Sequence, residues 1–123
     1  MRATARWSNL TNGVTLARAN RLQEARAHIK ASLRADLNQP IAHDVLGGLL
    51  ESGSHASEAA GHYREATRLR PDFGKAHLDL GAVLLRSKQR DPAAKEFRLA
   101  ALEPDPEIRQ TALQGLGALG LRP

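Results

Sequence analysis

Five histidines and a cluster of serines are the residues of this chain that most invite chemistry, and their spacing limits what that chemistry can be. His28 and His62 are one interval apart, and His43 and His77 repeat the same interval. A shared zinc ion needs its donors about 2 Å away, and no His-x-x-x-His or His-Glu-x-x-His sets two rings on one helical face. The sequence therefore assigns no metal. His43 and His77 are expected to fill packing gaps, and His28 and His62 to lie at the surface. Ser52, Ser54 and Ser57 flank His55, but neither a strand-turn-helix elbow nor a positioned carboxylate accompanies them. Gly47-Gly48 falls inside an apolar helical stretch instead of opening a phosphate loop. With no cysteine there is no thiolate, disulfide or catalytic thiol. The expectation is a non-catalytic chain without a cofactor.

Attraction to anions is the other chemistry on offer. Lys and Arg number 18 against 13 Asp and Glu, and the excess sits at one end. Arg2, Arg6, Arg18, Arg21, Arg26, Lys30 and Arg34 face only Glu24 within the first 35 residues. This end leaves open a binder of nucleic acid or anionic surfaces. Lys30, Arg64 and Arg98 continue the charge further on, but Glu65 and Glu96 interrupt it and no aromatic side chain stands among them for base stacking. Nucleic acid is therefore not the expected partner. No apolar run approaches the roughly 20 residues of a membrane span, and MRATARWSNL lacks the apolar segment of a secretion signal. The expected compartment is the cytoplasm.

The elements that must position these residues follow from a period of 34. At that offset Gly13, Gly47 and Gly81 fall in one column, and Ala25, Ala59 and Ala93 in another. Leu16, Leu50 and Leu84 align, as do Ile29, Tyr63 and Phe97, and Ser32, Ala66 and Ala100. Apolar residues recur near every 3.6 positions, as in Leu46, Leu49 and Leu50, which is helical spacing. Proline and glycine mark the breaks: Asp91-Pro92 and Asp105-Pro106 read as N-cap and first helical residue, and Pro71 and Pro104 close helices. The predicted helices are 6–18, 22–36, 40–52, 56–69, 74–87, 92–102 and 106–119. Aromatics are only 3% of the chain, so the core must be built from Leu and Ala, and close helix packing from the Gly and Ala columns.

These columns resemble the tetratricopeptide repeat (TPR) family, a 34-residue helix-turn-helix with Leu-Gly in its first helix and Ala, aromatic, Ala in its second. The second unit carries Leu46-Gly47, Ala59, Tyr63, Ala66 and Pro71; the third carries Leu80-Gly81, Ala93, Phe97 and Ala100. The first unit is looser, with Asn12-Gly13, Ala25, Ile29 and Ser32, and Asn9, His43 and His77 stand in the family's tryptophan column. The resemblance implies an all-α, right-handed α-solenoid of three repeats with a terminal capping helix. Its implied boundaries are an N-terminal arm at 1–5, repeats at 6–39, 40–73 and 74–106, and a cap at 107–120, whose apolar stripe is Ile108, Ala112, Leu113, Leu116 and Leu119.

In this family the first helices line a concave groove that holds a peptide or helix of a partner protein. The matching positions here are Trp7, Leu10, Val14 and Arg18, then Ile41, Asp44, Val45 and Glu51, then Lys75, Leu78, Asp79 and Arg86. The family's carboxylate clamp is not among the expectations, because only Lys75 of its matching positions fits and Asp79 would repel a carboxylate. The expected function is thus a protein-protein interaction module. A TPR segment of a larger enzyme such as a transferase, an anion binder acting through the basic first repeat, and self-association into a homo-oligomer are the other readings.

Overall fold

Helix starts recur with the period. In the computed structural model residues 2–122 are described, with side chains from Ser8 onward, and they form seven α-helices. These are α1 (Arg2–Arg18), α2 (Leu22–Ala35), α3 (Pro40–Ser52), α4 (Ala56–Leu69), α5 (Gly74–Arg86), α6 (Arg90–Ala100) and α7 (Pro106–Ala118). Among the described residues there is no strand. Helices α2 to α5 and α7 agree with the predicted spans to within one residue.

Helices α1 and α6 differ: α1 starts earlier, and α6 both starts and ends two residues earlier. Helix α1 begins at Arg2, so residues 2–5, expected as an arm, are helical; no Gly or Pro breaks the chain before Gly13. Helix α6 begins at Arg90 with Gln89 as its N-cap, so Asp91 and Pro92 lie inside the first turn. Proline is tolerated there because first-turn N–H groups have no helical acceptor. Asp105 does cap α7 as expected, its carboxylate accepting from the Glu107 N–H at 3.0 Å.

Between the helices of each pair the turn is closed by one left-handed residue. Asn20, Ser54 and Lys88 have φ of 61°, 65° and 61°, and they too are one period apart. The next N–H in each case reaches back five residues: Arg21 to Leu16, His55 to Leu50 and Gln89 to Leu84, at 2.8–2.9 Å. This satisfies carbonyls that the helix end would otherwise leave unpaired.

The chain divides into two compact units. The first, up to Leu69, holds the hairpins α1/α2 and α3/α4, with α2 packed on α3 and α1 touching α3. Its core is Ala25, Ile29, Leu33, Leu46, Leu49, Leu50, Ala59 and Tyr63. Buried Gln39 ties α2 to α3, donating to the carbonyls of Ser32 at 2.8 Å and Asp36 at 2.7 Å while accepting from the Ser32 hydroxyl. The second unit, from Arg70, is the hairpin α5/α6 with α7 laid against both helices. Its core is Leu80, Val83, Leu84, Ala93, Phe97, Ala112, Leu116 and Leu119.

The glycine column explains how closely each hairpin shuts. A Cβ on Gly47 would stand 2.5 Å from Tyr63 Cε1, and one on Gly81 would stand 2.8 Å from Phe97 Cε1. Gly13 lies against Ile29 in the same way. Gly61, in contrast, has nothing within 4 Å of the position a Cβ would take. Gly47→Ala should therefore destabilise the protein by about 1–3 kcal/mol through overpacking, even though alanine favours helix. Gly61→Ala should stabilise it by up to about 1 kcal/mol. Urea unfolding of both variants checks the pair.

Candidate functional site

An open cleft lies in the second unit. Helices α5 and α7 diverge enough to leave a cleft of about 510 Å³. Leu78, Ala82 and Leu85 form its α5 wall, Thr111, Gln114 and Gly115 its α7 wall, and Phe97 lies between them. Asp79 and Arg86 stand at the same cleft, and Lys75 bonds to Asp79 at 2.9 Å. The result is an apolar floor bordered by both signs of charge. Among the groove residues expected from the sequence, Leu78, Asp79 and Arg86 line this cleft. The contribution of α7 is new. A Cβ on Gly115 would come within 2.7 Å of the Phe97 ring, so this glycine lets α7 approach; it falls one period after Gly81, which was the signal available.

In the first unit the expected residues divide. Ile41 is 48% exposed, Arg18 is exposed, and Val14 and Val45 are half-buried. Leu10 and Asp44 must be corrected: they are buried, at 8% and 4% exposure, and are not part of an open face. Leu78 holds the same place in the period, three residues before Gly81, yet it is half-buried and lines the cleft, so register alone does not decide exposure. Glu51 is half-buried and accepts from the Tyr63 hydroxyl at 2.5 Å. The Trp7 side chain lies outside the described residues.

Three polar pairs cross the hairpins at matching positions, and the sequence reading missed them. Asn9 Oδ1 lies 3.0 Å from His28 Nδ1, His43 Nδ1 lies 3.0 Å from His62 Nδ1, and His77 Nδ1 lies 2.6 Å from Glu96 Oε2. Each pair spans 19 residues and each is displaced from the last by one period. His43 and His77 are buried, as expected of gap fillers, but each is also bonded through its other nitrogen, to the carbonyls of Leu37 at 3.0 Å and Pro71 at 2.7 Å. His28 and His62 are half-buried rather than at the surface, because each faces the first helix of its hairpin. The rings of His43 and His62 are stacked, with centroids 5.3 Å apart. Burial, then the adjacent His43, hold the His62 pKa below its ordinary value, whereas the bond to Glu96 raises that of His77 against a smaller desolvation effect.

The second helices carry the basic column. Lys30, Arg64 and Arg98 are exposed, but Arg68 bonds to Glu65 and Arg21 to Glu24, so part of the positive charge is neutralised locally. Among the described residues no three His, Asp or Glu gather as metal donors, and no helix is long and apolar enough to cross a membrane.

No family model matches this sequence, and no curated protein matches it either. Solved structures do. The TPR domain of P58(IPK) superposes with a TM-score of 0.89 at 22% identity, over 94% of this chain and 32% of that one. The chain thus spans about a third of that protein's length. The Arabidopsis OM64 TPR domain gives a TM-score of 0.89 at 15% identity, covering 98% of both chains. The Yersinia enterocolitica type III secretion chaperone SycD, in complex with a peptide of the translocator YopD, gives 0.84 at 14% identity over 92% of this chain and 90% of that one. The fold is that of a TPR domain.

The Tyr63–Glu51 bond fixes a carboxylate at the edge of the first unit's face. Tyr63→Phe should cost about 1.5–3 kcal/mol in urea unfolding, as expected for loss of a bond to a charged group. An unchanged midpoint would mean that Glu51 is held by other partners.

Proposed function

We propose that this TPR-fold chain is a non-catalytic interaction module that binds a peptide or helix of a protein partner on the open faces of its first helices. The observation that carries this reading is the α5–α7 cleft, with its apolar floor at Leu78, Ala82 and Phe97 and its charges at Asp79 and Arg86. Such a lining suits an amphipathic segment, whose apolar residue enters the floor while flanking charges set its register. Lys75, bonded to Asp79, leaves that carboxylate partly neutralised, so the cleft does not select one sign of ligand charge. In the first unit Val14, Ile41 and Val45 are at least partly exposed, and on this reading they would be the apolar contacts there, with Arg18 and Glu51 as the charged ones. SycD, a fold neighbour, was solved with a peptide bound, which supports the reading by analogy alone. On this proposal the repeats run 6–39, 40–73 and 74–106, and 107–120 caps the third.

Selection of short peptides displayed on phage against the full chain tests the proposal. Binding of a selected peptide should perturb the amide resonances of Ala82, Leu85, Thr111 and Gln114. The double change Val45→Asp and Leu78→Asp should weaken it at least about tenfold, with the circular dichroism of the helices unchanged. Perturbations confined to α2, α4 and α6, or affinity that survives the double change, would place the binding surface elsewhere.

A further inference from the structure

The cross-hairpin pairs in α3/α4 and α5/α6 differ in the protons that their bonds require. The Leu37 carbonyl can only accept, so His43 Nε2 carries a hydrogen. In the neutral ring His43 Nδ1 is then a lone pair, and the 3.0 Å contact requires His62 Nδ1 to donate to it. One further proton leaves a single N–H between the two nitrogens but puts a charge on stacked rings, one buried and one half-buried, that Lys30 faces, which opposes it. A second sets N–H against N–H and breaks the contact. In α5/α6 the Pro71 carbonyl likewise demands a hydrogen on His77 Nε2, while the Glu96 carboxylate demands one on Nδ1. Both bonds are made at once by an imidazolium facing a carboxylate, and the 2.6 Å separation suits a charge-assisted bond.

We propose that protons move stability between the two units: acid loosens the α3/α4 hairpin at His43–His62, while it preserves the α5/α6 hairpin at His77–Glu96, and alkali does the reverse. The surroundings fit this division. His62 is faced by Lys30 of α2, which opposes its charging, and by Glu58 and Glu65 of its own helix, which favour it. Arg68 bonds to Glu65 and offsets that carboxylate. His77 is faced by Glu96 of α6, and the cavity beside it is lined by Arg70, Asp72 and Glu103. The linkage signs are opposite. The folded pKa of His62 lies below its ordinary 6.5, so its contribution is present above that pH and is lost as pH falls through the folded value. The folded pKa of His77 lies above 6.5, so its contribution is complete below that pH and is lost as pH rises through the folded value. This inference does not depend on peptide binding.

Two measurements on the full chain test it. Long-range nitrogen–proton NMR of labelled histidines should show His62 as the neutral Nδ1–H tautomer near neutral pH and His77 as the doubly protonated ring. Hydrogen exchange, corrected for the intrinsic pH dependence, should show protection of α5/α6 relative to α3/α4 rising about threefold or more between about pH 7.5 and about pH 5.5. His62→Gln should abolish the α3/α4 response alone, and Glu96→Gln the α5/α6 response alone. If both hairpins respond alike, if His62 carries its hydrogen on Nε2, or if the responses survive these changes, the proposal is overturned. The NMR readout on the unaltered chain decides the matter even if a variant fails to fold.

Discussion

Each hairpin depends on one steric constraint: a helix without a side chain at one position, pressed against a large residue of its partner. Gly13 meets Ile29, Gly47 meets Tyr63 and Gly81 meets Phe97. Glycine inside a helix costs about 1 kcal/mol relative to alanine, so its recurrence indicates packing that offsets that cost. Fully burying a large apolar side chain is worth about 1.5–3 kcal/mol, and Ile29, Tyr63 and Phe97 are all nearly inaccessible. The remaining features follow from that approach. The second-helix alanines come close, the cross-hairpin polar groups reach one another, and residues on the far side of each first helix stay open.

One geometry therefore hosts three different chemistries. Asn–His, His–His and His–Glu occupy equivalent places, because the closed hairpin fixes the distance between helices whatever side chains stand there. Half-burial makes these pairs consequential, since polar groups removed from water must find partners. It also explains why His62 and His77 depart from the ordinary imidazole in opposite directions although both are partly desolvated. Desolvation dominates where the neighbour is another imidazole, and the carboxylate bond dominates where the neighbour is Glu96.

The helices and their order were legible because period and punctuation agreed. Proline, glycine and the 34-residue columns marked nearly every boundary, and the start of α6 was misread because a local Asp-Pro signal was preferred to the register that places Arg90 beneath Ala56. The faces were less legible. Leu10 and Asp44 were assigned to the groove by family position, yet they are buried, whereas Leu78 at the same place in the period stays half-buried at the cleft. The α7 side of the cleft was missed because Gly115 was not placed with the glycine column, one period after Gly81. The polar pairs were missed because histidines were compared along columns, between repeats, and never across a hairpin, where side chains 19 residues apart meet. The left-handed Asn20, Ser54 and Lys88 share no residue type, so only the register relates them.

Two backbones lacking a side chain, Gly81 of α5 and Gly115 of α7, both approach the Cε1–Cζ edge of Phe97. A half-turn of the ring about its own axis sweeps that edge past both backbones, so it should be slower the closer the two helices stay. The frequency of that half-turn is therefore a clock for breathing of the second unit: slow ring reversal reports a cleft that keeps its width, and fast reversal one that opens and shuts many times before a ligand arrives.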